Sequence, residues 1–326
     1  MSTDICKSIG LKFYPDSRPG FRRERRGRGF SYTAPDGTRV ACPEMRKRLH
    51  AMAVPPAYTD VWLSPHRTGH LQATGRDGAD RKQYRYHPDW VEFHAAQKFE
   101  RLPDLFKGLA RMRRWTARQL SREAQDRDTA IATALALMDR LSLRIGNPKY
   151  TAENGSFGAI TLRRRHVVEE DDGLFLRYIA KGGDAVEKRL TPGHLAARLQ
   201  QASDGPGATL IGFSDDYGRW RRLSGDVVTE RLQELIDAAV SPKDIRTWNG
   251  THAAFVTATR LPALSLKAVS EAAAERLHNT PAIARSSYIH PAVIEAVKTG
   301  RALSISSDRA LSHLRTGERE LAELIS

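Results

Sequence analysis

Short stretches of alternating apolar and polar residues fill the N-terminal part of the chain and predict β-strands. A turn at Pro35, Asp36 and Gly37 separates the first two strands. Pro43 opens a predicted helix that runs to Met52, because proline is tolerated in a first helical turn. The predicted strands are residues 30–33, 38–42, 61–64 and 70–74. This part of the chain is therefore predicted to be mainly β, with one or two helices.

Helical periodicity replaces this pattern from Trp90 onwards. Apolar residues then recur at the spacing of helix faces, from Phe93 to Leu109. Residues 130–143 form a further predicted helix that is apolar almost all round, which indicates burial at the centre of a domain. We place the domain boundary where the pattern changes, and expect a small β-rich N-terminal domain at 1–88 and a larger, mainly helical domain at 89–326.

A strand pattern returns within the larger domain at residues 159–190. Two turns divide it, at residues 171–173 and 182–184, so a small three-stranded antiparallel sheet is predicted. Helical segments follow at 194–202, 227–239, 244–260 and 265–277, and after them a loop and a helical tail. The predicted fold class is α+β.

The charge of the chain narrows the choice of partner. Lysine and arginine total 52 against 38 acidic residues, which gives a formal net charge of +14 and a pI near 10.0. This excess favours a polyanion, with nucleic acid first. A membrane surface would also attract it, but no stretch approaches the roughly 18 to 20 apolar residues of a spanning helix, and residues 1–12 lack the apolar centre of a signal peptide. We expect a soluble, cytoplasmic monomer.

An arm rich in arginine and glycine lies between residues 18 and 28. Its charges repel one another, so it is expected to become ordered only against negative charge, or to stay disordered in solvent. Its arginines are Arg18, Arg22, Arg23, Arg25, Arg26 and Arg28.

The sequence does not favour a metal or a cofactor. The only cysteines, Cys6 and Cys42, lie outside any CxxC pairing and suggest neither a disulfide framework nor a cysteine zinc site. His66 and His70 lie in a stretch with proline and glycine, without a third ligand. A charged turn explains the acidic run at 169–172 better than magnesium does. The chain has no GxxxxGK[ST] phosphate loop, so chemistry driven by ATP is not indicated.

Four dispersed residues carry the chemistry that we predict. They are Arg144 after the buried helix, Lys181 at a turn, Arg246 within PKDIRTW and Tyr288 within NTPAIARSSYIHP. Taken singly, each has an ordinary explanation: a helix-end arginine, a solvated lysine, half of an ion pair and a half-buried tyrosine.

Together these residue types suit attack on a phosphodiester. Two arginines offer paired, permanently charged donors to the non-bridging oxygens, where negative charge builds up. A lysine can donate a proton to the departing sugar alkoxide. A tyrosine can be the nucleophile, since a phenol with a pKa of about 10 is a tolerable leaving group when the sugar hydroxyl attacks back. The phosphotyrosine keeps the energy of the bond, so resealing needs neither ATP nor a metal.

Motifs over most of the chain resemble the type IB DNA topoisomerases, in particular the small poxvirus-type branch that also occurs in bacteria. The resemblance implies a C-shaped clamp in which a β-rich N-terminal domain and a mainly helical catalytic domain close around double-stranded DNA. The motifs are DRKQYRYH at 80–87, LRIGNPKY at 143–150, ENGSFGAITL at 153–162, IAKGG at 179–183, KDIRTW at 243–248 and TPAIARSSY at 280–288.

By position, the resemblance implies a role for each of the four residues. Tyr288 would form a 3′-phosphotyrosine link, and Lys181 would be the general acid. Arg144 and Arg246 would hold the scissile phosphate. Lys243 would support the phosphate or the proton relay.

The chain departs from the poxvirus-type pattern at two positions. Asn279 stands where those relatives have a histidine, and its amide can still donate to a non-bridging oxygen, so we assign it the fifth catalytic role. His278 is the rival, but a shift of one residue at a helix end turns a side chain by roughly 100°, so it is expected to face elsewhere. Asn147 stands where those relatives have a lysine that approaches the DNA bases, so it stays open whether this chain shares their preference for a particular DNA sequence.

The resemblance also selects residues for contact with DNA. Alternation on a strand places Tyr84 and Tyr86 on one side, where their rings would lie against sugars or base edges, with Arg81 and Lys82 on phosphates. Without the resemblance, two tyrosines at period two are more typical of a core. Further expected DNA contacts are Gln83, Lys149, Tyr150 and Lys243.

Two other functions stay open from the sequence. A tyrosine recombinase uses a similar Arg, Lys, Arg and Tyr set, but it usually has His-x-x-Arg where this chain has Lys243 and Arg246, and its N-terminal domain is typically helical. A non-enzymatic, basic DNA-binding protein would also use the net charge, and covalent trapping on DNA separates it from both enzymes.

Overall fold

The structure, a computed structural model, describes residues 2–27, 29–203, 208–260, 263–306 and 312–326. Its contacts divide the chain into two compact units, an N-terminal unit at residues 1–97 and a C-terminal unit at 98–326. The division falls inside the helix Pro88–Glu100. The domain limits of 88 and 89 remain a prediction.

The described part of the N-terminal unit contains one five-stranded antiparallel sheet, two helices and most of the helix Pro88–Glu100. Its elements are α1 (Ser2–Ser8), β1 (Phe21–Arg26), β2 (Gly29–Thr33), α2 (Pro43–Ala51), β3 (Thr59–Leu63), β4 (Leu71–Arg76) and β5 (Lys82–Tyr86). The strand order is β2-β1-β3-β4-β5. Alternate strand residues such as Phe21, Tyr32 and Leu63 form its core with Leu49 of α2. The predicted strands near residues 30, 61 and 70 and the helix from Pro43 are confirmed.

The expectation that the arginine arm orders only against negative charge is wrong for residues 21–26, which form β1. This strand lies between β2 and β3 in the sheet. Arg23 donates three hydrogen bonds of 2.7 to 2.9 Å to carbonyl oxygens in the segment 54–58. Its guanidinium also lies 4.2 Å from the centre of the Phe30 ring. Neutral acceptors and an aromatic face thus stabilise the charge, whereas Arg28 lies outside the described residues.

The predicted strand at residues 38–42 is also wrong. Arg39 makes an isolated bridge to Thr33, and the chain then enters α2. The carboxylate of Asp36 accepts from the backbone N–H of Thr38 at 2.9 Å and from its hydroxyl at 2.7 Å. This Asx turn closes a short hairpin, in which Ala34 donates to the carbonyl oxygen of Thr38 and Val40 to that of Tyr32, and the helix at Pro43 begins before a strand extends.

The C-terminal unit is mainly helical, and its described part has two small antiparallel sheets, with the strand orders 6-7-8 and 10-9. Short 3-10 helices lie at Ala159–Thr161 and Arg164–His166. Its other elements, with α3 shared between the units, are α3 (Pro88–Glu100), α4 (Leu102–Leu120), α5 (Arg127–Leu141), α6 (Pro148–Asn154), β6 (Val167–Glu170), β7 (Gly173–Ile179), β8 (Ala185–Leu190), α7 (His194–Ser203), β9 (Gly212–Ser214), β10 (Trp220–Arg222), α8 (Gly225–Ile236), α9 (Pro242–Arg260), α10 (Leu266–Leu277), α11 (Pro281–Tyr288), α12 (Pro291–Thr299) and α13 (Glu318–Ile325).

Helix α5 lies at the centre of this unit, as predicted. Every residue from Thr129 to Asp139 is buried, which explains a helix that is apolar almost all round. Asp126 caps its start by accepting from the backbone N–H of Thr129 at 2.9 Å. The coarse fold class, a mixture of helices and small antiparallel sheets, is confirmed.

Three details of the C-terminal unit differ from the sequence analysis. The strand pattern starts at Val167, because two short 3-10 helices, Ala159–Thr161 and Arg164–His166, precede it. The stretch predicted as a loop after residue 277 holds α11 and α12, which begin at Pro281 and Pro291. The hairpin of β9 and β10 was not predicted. The predicted three-stranded sheet and the four helices between residues 194 and 277 are confirmed.

Candidate active site

Arg246 lies in the first part of α9 and is buried, with 4% of its surface exposed. Its Nη1 donates to the carbonyl oxygen of Ser142, and its Nη2 donates to that of Leu277 at 2.8 Å. Burial, followed by the positive charge of Arg144, lowers the pKa of Arg246 to about 10. The guanidinium therefore stays charged at neutral pH inside the unit.

Ser142 connects Arg246 to Arg144. It ends α5 in the left-handed conformation, with φ 59°. Its carbonyl oxygen accepts from Arg246, and its hydroxyl accepts from Nδ2 of Asn249 at 3.1 Å. Arg144 follows two residues later, and its own carbonyl oxygen accepts from the backbone of Ala159 at 2.8 Å. Ser142 thus binds the guanidinium of Arg246 and belongs to the same short segment as Arg144.

Tyr288 is the last residue of α11. The side chain of Thr280 caps this helix by accepting from the backbone of Ile283 at 3.3 Å, and Pro281 lies in the first turn. The guanidinium carbon of Arg246 lies 5.6 Å from the centre of the Tyr288 ring. Tyr288 is half-buried. It therefore lies beside a fixed positive charge and is still partly exposed.

A glycine in α9 allows this approach of α11. A Cβ atom at Gly250 would lie 2.9 Å from the carbonyl oxygen of Tyr288 and 3.1 Å from its Cβ, which is too close for an ordinary contact. The hydroxyl of Thr251 donates to the same carbonyl oxygen at 3.0 Å. The helix that carries Arg246 therefore also positions the end of the helix that carries Tyr288.

A second tyrosine, Tyr178 on β7, lies in the field of Arg246 and Arg144. It is 9% exposed, and burial raises its pKa to about 12, although the two arginines act in the opposite direction. A buried phenol that ionises with difficulty is a poor nucleophile for a large substrate. Tyr288 is the better placed of the two.

Asn279 connects Arg144 to the turn between α10 and α11. Its Oδ1 accepts from Nη2 of Arg144 at 2.9 Å. In the described part of the chain, Nδ2 of Asn279 and Nε of Arg246 are buried without a hydrogen-bond partner. Buried donors are normally bonded, so these two N–H groups are available to a ligand.

Lys181 is the fifth of the predicted catalytic residues. It is exposed at the turn between β7 and β8, where Gly182 and Gly183 adopt φ values of 111° and 92° that favour glycine. Among the described residues, no contact joins Lys181 to Tyr288. Of the five predicted catalytic residues, the structure brings together Arg144, Arg246, Asn279 and Tyr288 and leaves Lys181 at the turn.

Lys188 was not predicted as a site residue, and it lies on the inward face of the sheet. It pairs with the buried Leu176 across β7 and β8. Burial, followed by the charges of Arg276 and Arg246, lowers the pKa of Lys188 to about 8. The period of two that it shares with the apolar residues of β8 was the signal for this placement.

The predicted DNA contacts of the N-terminal unit lie on and beside β5. Tyr84 and Tyr86 share one side of the strand, with nearly parallel rings 6.2 Å apart, and they are 51% and 39% exposed. Arg81 and Gln83 both reach Asp77, each at 2.9 Å. The tyrosines are therefore not core residues, and contact of these side chains with DNA remains a prediction.

The other predicted DNA contacts lie in the C-terminal unit. Lys149 and Tyr150 are exposed on α6. Asn147 caps this helix by accepting from the backbone of Lys149 at 2.8 Å, which gives the asparagine a local structural role. Lys243 is exposed one turn before Arg246 on α9. Contact with DNA remains a prediction for these lysines and Tyr150.

A network of ion pairs and hydrogen bonds connects α13 to Ser142, the residue that binds Arg246 and precedes Arg144. Arg113 of α4 donates to both carboxylate oxygens of the buried Glu318, at 2.6 and 2.8 Å. Arg315 donates to Oδ1 of Asn249 at 2.7 Å. Because Asn249 also holds Ser142, the segment after the nucleophile contributes to the geometry of the site.

Two family models match this chain. Residues 29–77 match the N-terminal domain of bacterial DNA topoisomerase IB, and residues 89–280 match the catalytic core of eukaryotic DNA topoisomerase I. The second match covers more than half of the chain. The chain belongs to the type IB DNA topoisomerases. It is thus an isomerase that acts on DNA, and the predicted resemblance is confirmed.

Viral topoisomerases are similar over most of their length. The DNA topoisomerase 1B of Acanthamoeba polyphaga mimivirus is 24% identical over 286 residues, which cover 83% of this chain and 85% of the relative. The DNA topoisomerase 1B of Vaccinia virus (strain Copenhagen) is 22% identical over 248 residues, or 72% and 74% of the two chains. The DNA topoisomerase I of Monkeypox virus is 21% identical over 243 residues, with the same shares.

The described residues of the chain show neither a membrane span nor a metal-binding cluster. Within its described residues, no helix has the length and apolar character to cross a bilayer. Nor do those residues place three or more His, Cys, Asp or Glu side chains together in a way that could hold a metal ion.

Proposed function

We propose that the enzyme relaxes supercoiled duplex DNA by cutting one strand, allowing rotation and resealing the strand, through a 3′-phosphotyrosine at Tyr288. The observation that supports this most directly is the half-buried ring of Tyr288, 5.6 Å from the buried guanidinium of Arg246. A charged donor beside a phenol is the arrangement that attack on a phosphodiester requires.

The cleavage step moves one phosphate from a sugar oxygen to tyrosine. The Oη atom of Tyr288 attacks phosphorus, the bond from phosphorus to the 5′ oxygen breaks, and the phenol proton passes to solvent. Lys181 donates a proton to the departing 5′ oxygen. Resealing reverses each step, so the 5′ hydroxyl attacks and the phenol leaves. One P–O bond replaces another in each direction, and neither ATP nor a metal is needed.

The transition state places negative charge on the non-bridging oxygens. Arg144 and Arg246 would donate charged N–H groups to them, and Asn279 would add its amide. The unpartnered Nδ2 and Nε atoms support this assignment, because donors already fixed in a buried place need no reorganisation during the reaction. Lys243 would add positive charge one turn away on α9.

Contact with duplex DNA is proposed for both units, in the manner of the clamp that the resemblance implies. The exposed, stacked rings of Tyr84 and Tyr86 suit sugars and base edges. Lys149 and Tyr150 would contact DNA from α6. The monomeric state and the cytoplasmic location remain predictions.

Plasmid relaxation tests this function. We expect the purified enzyme to relax positively and negatively supercoiled plasmids in EDTA without ATP, because the proposed chemistry uses side chains alone. Agarose gels that resolve topoisomers measure the reaction. Relaxation that needs added ATP would contradict the proposal.

Lys181→Ala is expected to slow cleavage by about 10²- to 10⁴-fold, because the 5′ alkoxide would leave without its proton. Sulfur in place of the bridging 5′ oxygen should restore most of the rate, since a thiolate leaves without protonation. Single-turnover cleavage of the two duplexes measures both effects. Lys267→Ala changes a lysine on α10 whose side chain is 84% exposed, and it should cleave both duplexes like the wild type. If sulfur gives no rescue, Lys181 is not the general acid.

A further inference from the structure

His278 lies between the two residues that receive hydrogen bonds from the arginines. The carbonyl oxygen of Leu277 accepts from Arg246 at 2.8 Å, and Oδ1 of Asn279 accepts from Arg144 at 2.9 Å. His278 itself caps α10 in the left-handed conformation, with φ 48°. This conformation is uncommon for a residue other than glycine. The helical rotation of roughly 100° per residue, on which the expectation that His278 faces elsewhere was based, therefore does not apply to it.

The ring of His278 has a buried nitrogen without a partner. In the described part of the chain, five buried side-chain nitrogen or oxygen atoms lack a hydrogen-bond partner, and three of them belong to this site. The three are Nε of Arg246, Nε2 of His278 and Nδ2 of Asn279. Folded proteins rarely bury polar atoms unpaired, so three from neighbouring residues indicate a place where a polar ligand binds.

The charged groups that act on His278 come from four segments. Lys188 of β8, Arg246 of α9 and Arg144 after α5 lower its pKa, and Asp184 beside the β7–β8 turn acts in the opposite direction. Burial is the largest cause of the shift, and the net effect of burial and these charges lowers the pKa of His278 to about 4. Its imidazole is therefore neutral at pH 7, and in the tautomer that carries the proton on Nε2 it can donate a hydrogen bond without adding charge.

We propose that His278 is a further catalytic residue, whose Nε2–H donates a hydrogen bond to a non-bridging oxygen of the scissile phosphate beside the amide of Asn279. This inference rests on the proposed function. A neutral imidazole is a poor acid toward a sugar alkoxide, so its role differs from that of Lys181. Arg144 and Arg246 supply positive charge to the phosphate. The two adjacent neutral donors, Nε2 of His278 and Nδ2 of Asn279, orient its oxygens.

Single-turnover cleavage of a duplex that traps the covalent intermediate tests this role. His278→Ala is expected to lower the cleavage rate about 10²-fold with unchanged affinity for DNA, as for the loss of one oxyanion donor. His278→Gln keeps an N–H donor and should recover part of that rate. His194→Ala changes an exposed histidine at the start of α7 and should cleave like the wild type.

Two modified substrates identify the atom that His278 contacts. Sulfur at the bridging 5′ position should leave the defect of His278→Ala in place, whereas it should rescue Lys181→Ala. A methylphosphonate replaces one non-bridging oxygen by a methyl group that accepts no hydrogen bond. With one of its two diastereomers, the cleavage rate of His278→Ala should fall much less below that of the wild type. In that diastereomer the wild type also lacks the hydrogen bond from His278, because the accepting oxygen is gone.

Three results would overturn the inference: cleavage by His278→Ala at the wild-type rate, its rescue by bridging sulfur, or equal losses for Ala and Gln together with a lower Tm. The last result would show that the ring acts only in packing. Failure of the wild-type enzyme to form any covalent adduct would instead overturn the proposed function, so the two failures are distinguishable.

Discussion

Tyr288→Phe is expected to bind duplex DNA with wild-type affinity and to form no covalent adduct. The change removes the attacking oxygen alone. The ring keeps its place beside Arg246, and the main-chain bond to Thr251 remains. Loss of a nucleophile costs more than about 10⁴-fold in rate. A duplex that traps the cleaved state, followed by a denaturing gel, measures the adduct, and a gel shift measures binding.

Tyr217→Phe is the matched control for this variant. Tyr217 lies between β9 and β10 and is 81% exposed, so its loss should leave adduct formation unchanged. An adduct formed by Tyr288→Phe would place the nucleophile elsewhere. If Tyr178→Phe then lost the adduct, the nucleophile would be the buried tyrosine of β7.

Arg246→Lys is expected to slow cleavage by about 10²- to 10³-fold, as for other losses of a donor to developing charge. Lysine keeps the positive charge but lacks the planar fork of the guanidinium. It cannot reach the carbonyl oxygens of Ser142 and Leu277 and still present a fixed N–H group to the phosphate. Single-turnover cleavage at saturating enzyme measures the chemical step apart from binding.

Lysine is a cleaner replacement than alanine at this position. Arg246→Ala would leave two buried carbonyl oxygens without donors, and each unpaired group costs about 1 to 3 kcal/mol, so folding and catalysis would change together. Arg260→Lys, at the exposed end of the same helix, is the control and should cleave like the wild type. Wild-type cleavage by Arg246→Lys, at an unchanged Tm, would remove Arg246 from the site.

The sequence predicted those parts of the fold that depend on local patterns. Helix α5 was predictable because its continuous apolar surface and the cap at Asp126 lie within one segment. Strand β1 was not predictable, because its arginines obscure the alternation of apolar and polar residues. The acceptors that satisfy Arg23 come from the distant segment 54–58.

The sequence predicted the residue types of the site, and the structure added their supports. Chemistry and motifs selected Arg144, Arg246 and Tyr288, whereas the links through Asn249 join segments far apart in the chain. The conformation of His278 was also hidden, since a positive φ is uncommon for any residue other than glycine. The placement of Lys181 against a phosphate depends on DNA and stays a prediction.

The central claim is that Tyr288 carries the 3′ phosphate of the cut strand during turnover. Mass spectrometry of a covalent complex, trapped in EDTA and digested with trypsin, tests it most directly. The predicted result is one modified peptide, residues 286–298, in which Tyr288 is the single tyrosine and carries a nucleotide through its 3′ phosphate. Modification of another residue, or attachment through a 5′ phosphate, would contradict the account.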